Sequence, residues 1–180
     1  MGIGKTKPDK RDEETCCEGE ASPMEVILMI GLQASGKSTF ARSTFGATHQ
    51  YVSKDLLRNN SNPTRRQRQL IESALQQGIS VVVDNTHATR EAREELIALG
   101  QLYHADILGY YFAVQIEQCL ERNRTRKGKA KVPDVALFAT LKKLTRPSYA
   151  EGFTKLFYVR NKGDGTFVVS PWEEEEQIYG

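Results

Sequence analysis

Residues 26–39 read Val-Ile-Leu-Met-Ile-Gly-Leu-Gln-Ala-Ser-Gly-Lys-Ser-Thr, and this stretch decides the fold. Its first five residues form an uninterrupted apolar run, the pattern of a strand buried on both faces. Gly31-x-x-x-x-Gly36-Lys37-Ser38 follows at once, with helix-compatible residues after it. A phosphate-binding loop needs that order of strand, glycine-rich turn and helix. Gly31 and Gly36 tolerate backbone angles and close approaches that a side chain would block. The amides of Gln33, Ala34, Ser35 and Gly36 can then point inward around phosphate oxygens. The helix that starts about Ser38 and Thr39 presents its positive end to the same anion. Lys37 can reach the β- and γ-phosphates, and the Ser38 hydroxyl can hold Mg²⁺. The competing reading is a glycine-rich turn with a stray Lys-Ser, which accounts for the residues but not for their context.

A length of 180 residues with 39% hydrophobic content fits one α/β domain with a sizeable core. No apolar run reaches the ~20 residues of a membrane helix, and the N-terminus lacks the apolar segment of a secretory signal. Cys16, Cys17 and Cys119 form neither a disulfide framework nor a zinc-ligand spacing. An intracellular compartment, cytoplasmic or nuclear, is therefore expected. Charge is unevenly spread. Residues 1–23 carry four positive and six negative side chains, and the last ten carry four glutamates. Residues 24–170 carry 21 positive and 13 negative groups, or +8. A basic body with acidic ends suits a polyanionic partner, although a mildly basic solvated surface gives the same numbers.

The expected organisation is a disordered tail or leader over 1–23, one folded domain over 24–170 and an acidic tail over 171–180. The opening Met-Gly-Ile-Gly-Lys-Thr also fits N-myristoylation at Gly2, with Cys16 and Cys17 as a second acylation signal. Membrane anchoring on so short a pattern is a minor alternative. Strands are expected over 26–30, 51–52, 80–83, 107–112 and 155–159, with an edge strand over 167–169. Helices are expected from Ser38, from Pro63 to Gln77, from Ala88 to Leu99 with Gly100 as its cap, over 115–125, and from Pro133 to about Leu144. This alternation predicts a mostly parallel sheet flanked by helices, with no second domain.

Three further features carry chemistry. The first is Ser53-Lys54-Asp55-x-x-Arg58. Asp55 falls just beyond a strand end, where a carboxylate can take a proton from an attacking hydroxyl. Arg58 is three residues on and suits an acceptor phosphate. Lys54 can help with the same phosphate. The plainer reading is a helix-capping aspartate beside a surface arginine. The second is Asp84-Asn85-Thr86 after an all-valine strand. Asp84 can act on Mg²⁺ through water or fix Asp55, or it caps the next helix. Asn85 and Thr86 read as turn residues. The third is the basic run 122–132. Arg122 and Arg126 are four apart and so expected on one helical face, where two guanidiniums neutralise phosphoryl charge. Gly128 gives that segment a hinge, and a solvated basic loop is the alternative.

Taken together, residues 31–39, Asp55-x-x-Arg58, Asp84-Asn-Thr, Arg122-x-x-x-Arg126 and Val132-Pro-Asp134 resemble the polynucleotide 5′-hydroxyl kinase domain of phage, eukaryotic and bacterial end-healing enzymes. The stretch from Val132-Pro-Asp-Val-Ala to Pro147-Ser-Tyr-Ala-Glu-Gly-Phe153 is similar to the eukaryotic kinase/phosphatases. The resemblance covers about residues 25–160. It implies a P-loop kinase fold with an arginine-rich lid, ATP and Mg²⁺ as cofactors, and γ-phosphate transfer to a nucleic acid with a 5′-OH end. It implies Lys37 and Ser38 on the phosphates and Mg²⁺, Asp55 as general base, Arg58 on the acceptor's 3′-phosphate, Asp84 in support, and Arg122 and Arg126 as lid arginines on the donor. The Asp-x-Asp-x-Thr signature of the phosphatase partner is missing, so no phosphatase activity is expected. Two rivals share these residues: a P-loop kinase of a small-molecule or tRNA-linked acceptor, and a non-catalytic nucleotide-binding module.

Overall fold

A computed structural model describes residues 23–174 of the chain. The possible acylation at Gly2, Cys16 and Cys17 lies outside the described residues. Among the described residues there are six strands and five α-helices, beginning with β1 (Glu25–Ile30), α1 (Lys37–Phe45), β2 (Gln50–Val52), α2 (Pro63–Gln76) and β3 (Val81–Asp84). Next come α3 (Arg90–Leu102), β4 (Asp106–Phe112), α4 (Ile116–Thr125), α5 (Asp134–Lys143), β5 (Lys155–Asn161) and β6 (Phe167–Pro171). The strands form one sheet in the order β2-β3-β1-β4-β5-β6. All neighbours are parallel except β5 and β6, which pair antiparallel.

The apolar run of β1 takes the centre of the sheet because both of its faces need cover. Alternate side chains point to opposite faces of a strand. Val26, Leu28 and Ile30 accordingly pack with Ile71, Ala74 and Leu75 of α2 and Leu96, Ile97 and Leu99 of α3. Ile27 and Met29 pack on the other face with Phe40, Ala41 and Phe45 of α1. A third cluster, Leu32, Ala34, Cys119 and Leu137, packs α4 and α5 under the loop that follows β1.

Local signals set most helix ends. Asn62 accepts from the Arg65 amide at 2.9 Å and Pro63 opens α2, while Thr89 accepts from the Ala92 amide to start α3. Two expectations need correction. Gly100 is no cap: it is buried inside α3, which continues to Leu102. A Cβ there would meet Ile107 Cδ1 at 2.3 Å and Val26 Cγ2 at 3.1 Å, so close helix–sheet approach explains the glycine. Packing also runs past residue 170. Pro171 ends β6, buried Trp172 joins the core, and Glu174 Oε1 accepts from the Tyr149 amide at 2.9 Å.

One charged contact locks these layers. The guanidinium of Arg93 on α3 is fully buried and grips the carboxylate of Glu151, with Nε donating to Oε2 at 2.7 Å and Nη2 to Oε1 at 2.8 Å. Removing one partner strands a buried charge, which costs about 3–5 kcal/mol. Arg93→Leu should therefore lower the thermal midpoint by roughly 10 °C. The double variant Arg93→Leu/Glu151→Leu should regain part of that loss, as checked by circular dichroism melting.

Candidate active site

Register brings the chemistry together. Leu28 of β1 lies beside Val83 of β3, and Val83 lies beside Val52 of β2. The three parallel strands thus end at one edge and deliver Gly31, Ser53 and Asp84 to the same crevice, where open α/β sheets bind ligands. There the loop after β1 turns into α1. Gly31 (φ 144°) and Gly36 (φ 105°) have backbone angles that favour glycine. At Gly36 a Cβ would meet Asn161 Nδ2 at 2.4 Å and the Phe167 ring at 3.0 Å. Asn161 at the end of β5 donates through Nδ2 to Ser35 O at 3.1 Å and so braces the loop from behind. Ala34, also at positive φ (61°), is held by burial in the cluster under the loop.

Lys37 is buried, and its ammonium donates to Gly31 O at 3.0 Å, to Leu32 O and to Ser35 Oγ at 3.4 Å. Burial pulls its pKa down to about 8, against a smaller upward pull from Asp84. Asp84 is buried at the end of β3 and accepts from the Tyr51 hydroxyl at 2.5 Å. Burial and that bond push the Tyr51 phenol up to about 12. Asp84 does not cap α3, since Thr89 does.

The loop after Asp84 ties the site together. Thr86 O accepts from the Gly31 amide at 2.9 Å. His87 is buried with φ 42°, and its Nδ1 lies 2.8 Å from Met29 O. A carbonyl can only accept, so Nδ1 carries the proton and Nε2 accepts from Asn85 Nδ2 at 3.4 Å. Burial lowers the His87 pKa to about 4, so the ring is neutral at ordinary pH. Asn85 Oδ1 accepts from the Lys54 amide at 3.1 Å.

Lys54–Leu57 is a short 3-10 turn capped by Ser53, whose hydroxyl accepts from the Asp55 amide. Asp55 does not serve as the cap. Its Oδ1 accepts from Arg58 Nη2 at 2.6 Å and Nε at 3.2 Å. A cavity of about 430 Å³ lies between this turn and the phosphate loop. Gln33, Ala34, Gly36, Lys37, Ser38, Asp55, Arg58, Asp84 and Arg126 all line it. Gly31, Ser35, Thr39 and Arg122 do not.

The expected pairing of Arg122 with Arg126 on one helical face does not hold. Helix α4 ends at Thr125, and Arg126 is its extended C-cap. Arg126 turns to the cavity, whereas Arg122 Nη2 donates to Gln118 Oε1 at 2.8 Å and Nη1 approaches Ala34 O at 3.5 Å. Asn123, between them, had no signal beyond its polarity. It is fully buried and bonds the Val132 amide at 3.1 Å, the Val132 carbonyl at 2.7 Å and Asp134 Oδ1 at 3.1 Å, closing the basic segment at its base. Arg146 lies 4.5 Å from the Trp172 ring centre and does not line the cavity.

Residues 26–147 match the family described as "AAA domain". The chain belongs to this family. Its sheet, phosphate loop and flanking helices form a P-loop kinase fold. A fission-yeast (Schizosaccharomyces pombe) relative, "Bifunctional polynucleotide phosphatase/kinase", is 29% identical over 136 residues, covering 73% of this chain and 32% of the relative. This chain thus spans about a third of that protein. Among solved structures, an unliganded sugar kinase from Janibacter aligns with a TM-score of 0.59 at 15% identity, covering 77% of this chain and 86% of that one. The Pnkp1/Rnl/Hen1 RNA repair complex aligns with a TM-score of 0.60 at 19% identity, covering 71% and 46%. At such identities the two structures share the fold. Among the described residues no helix is long and apolar enough to cross a membrane.

The Lys37 pKa gives a test of nucleotide binding. The ammonium attracts phosphate and the neutral amine does not, so bound phosphate raises this pKa. Affinity for a non-hydrolysable ATP analogue should fall as pH rises through about 8, by up to roughly tenfold per unit. Calorimetric titration between about pH 7.5 and 9.5, where phosphates are already ionised, should show this. Lys37→Met should bind more weakly and lose the dependence.

Proposed function

We propose that this chain transfers the γ-phosphate of ATP to the 5′-hydroxyl end of a polynucleotide. One observation carries the reading: a single cavity is lined on one side by Lys37 and Ser38 of the phosphate loop and on the other by Asp55 paired with Arg58. Phosphoryl transfer is mainly positioning and charge stabilisation, and it needs donor and acceptor in one enclosure. The fission-yeast relative's description and the basic body over 24–170 favour a polynucleotide as acceptor.

In this reading the loop amides and Lys37 hold the donor's β- and γ-phosphates. Arg126 faces the transferring group from the lid, and Arg122 backs the loop at Ala34. Arg58 releases Asp55 to take the acceptor's phosphate, and the freed carboxylate accepts the proton of the attacking 5′-hydroxyl. The donor set suits Mg²⁺, because the Ser38 hydroxyl and the Asp84 carboxylate are oxygen ligands on the same cavity. When bound, Mg²⁺ neutralises phosphate charge. Among the described residues no group of three or more His, Cys, Asp or Glu is arranged to hold a metal, which fits an ion that arrives with its nucleotide.

The test is transfer of labelled γ-phosphate from ATP and Mg²⁺ to a single-stranded 5′-OH oligonucleotide, beside its 5′-phosphorylated twin. Only the 5′-OH strand should be labelled. Asp55→Asn should lower kcat by about 10²- to 10⁴-fold, and Arg58→Ala should raise KM for the oligonucleotide by about 10- to 100-fold. Oligonucleotide affinity should fall with added salt, by a log–log slope of about −0.7 per phosphate contacted. Binding of ATP without transfer to the oligonucleotide would overturn the polynucleotide assignment in favour of a small-molecule or tRNA-linked acceptor. An Asp55→Asn variant with unchanged transfer would remove Asp55 from the mechanism.

A further inference from the structure

The loop 85–87 reads in sequence as a turn, yet it bonds to both the phosphate loop and the turn that carries Asp55. The turn that carries Asp55, Lys54–Leu57, has no buried residue of its own, so core packing does little to fix its position. Its first amide is instead held from across the crevice, where Lys54 N donates to Asn85 Oδ1 at 3.1 Å. The Asn85 side chain is held in turn, since its Nδ2 donates to His87 Nε2 at 3.4 Å. His87 is buried, and its Nδ1 donates to Met29 O in β1, two residues before the phosphate loop. From the opposite side, Arg93 Nη1 donates to His87 O at 3.0 Å. His87 keeps this place at a positive φ of 42°, which costs a non-glycine residue of order 1 kcal/mol or more.

We propose that Asn85 and His87 are positioning residues, a hydrogen-bonded bridge that fixes the distance between the Asp55 turn and the phosphate loop. The inference rests on the reading of Asp55 as the base. The bridge runs from Met29 O through the His87 ring and the Asn85 amide to the Lys54 N–H, one residue before Asp55. Each member has one polarity to offer. Met29 O only accepts, so His87 Nδ1 must donate and Nε2 must accept. That orients the Asn85 amide with Nδ2 toward the ring and Oδ1 toward Lys54. Asp55 itself is mostly exposed, with its side chain 76% accessible, so without the bridge its turn can drift while the phosphate loop stays formed. A displacement of about 1 Å at a reacting group can cost on the order of 100-fold in rate.

The test compares Asn85→Ala, which removes the bridge, with Asn85→Asp, which keeps an acceptor oxygen for the Lys54 amide. Asn85→Ala should lower kcat by about 10- to 100-fold with KM for ATP and the melting temperature close to wild type. Hydrogen exchange at the Lys54 amide should quicken by about fivefold or more, as expected for loss of a bond of ~1 kcal/mol. Asn85→Asp keeps an acceptor for the Lys54 amide but offers no N–H to His87 Nε2, so it should regain only part of the Lys54 protection and of kcat, and His87→Leu should likewise quicken exchange. An Asn85→Ala enzyme with wild-type kcat, or one that loses ATP binding and thermal stability together, overturns the proposal. So does unchanged exchange at Lys54. If the wild-type chain labels no acceptor at all, the polynucleotide assignment fails by itself and exchange alone decides the bridge. Faster exchange in both Asn85→Ala and His87→Leu then upholds it, and unchanged exchange in either overturns it.

Discussion

A single buried guanidinium holds the active face to the body of the protein. Arg93 has five N–H donors, and five bonds use them: Glu151 Oε2 from Nε, His87 O and Thr145 O from Nη1, Thr145 Oγ1 and Glu151 Oε1 from Nη2. The charge is therefore fully compensated where water cannot reach it. The partners come from three separate stretches: the loop after β3, the segment after α5 and the turn Tyr149–Glu151. Thr145 N also donates to Ala88 O at 2.8 Å, doubling the link. Packing brings these stretches near one another, and the guanidinium sets their relative height, including that of the His87 carbonyl beside the phosphate loop.

What was legible in the sequence follows from this division of labour. Strand positions were readable where burial is two-sided, because 26–30 and 81–83 are apolar without interruption. The phosphate loop was readable because its demands are local: two glycines, a lysine and a serine at fixed spacing. Arg93 was not, because its partner Glu151 is 58 residues away and each alone is an ordinary helix or turn residue. The role of Gly100 is hidden for a related reason. A glycine ten residues into a helix resembles a stop signal, and the β4 side chain that demands it, Ile107, becomes visible only after folding. Trp172 sat in a stretch that composition marked as an acidic tail, although it closes the core beside Tyr111 with ring centres 5.5 Å apart.

The segment after α4 shows how one helix end separates two arginines. Spacing of four puts two residues on one face only while the helix continues. Here Asn123 draws Val132 and Asp134 back against α4, and the chain leaves helical geometry after Thr125. Arg122 stays on the helix beside Ala34, whereas Arg126 swings out over the cavity. Arg122 thus backs the phosphate loop at Ala34 while Arg126 lines the cavity, and the two charges are not stacked on one face.

The cavity's cations are engaged before any ligand arrives, and this bears on specificity. Lys37 donates to the loop's own carbonyls, and Arg58 is closed on Asp55. Bringing in a phosphate therefore exchanges one set of charge-assisted bonds for another, and only the difference contributes to binding. A carbonyl is a weaker partner for an ammonium than a doubly charged phosphate, so the exchange at Lys37 favours any nucleotide. The exchange at Arg58 is more demanding, because the bond given up is already to a full carboxylate. An acceptor must offer an anion of its own to open that pair, and opening it frees Asp55 Oδ1. A neutral acceptor gains nothing from Arg58 and leaves the pair closed. The same ion pair can therefore favour a phosphate-bearing acceptor over a neutral one, while the Asp55 side chain, 76% accessible, stays open to water throughout.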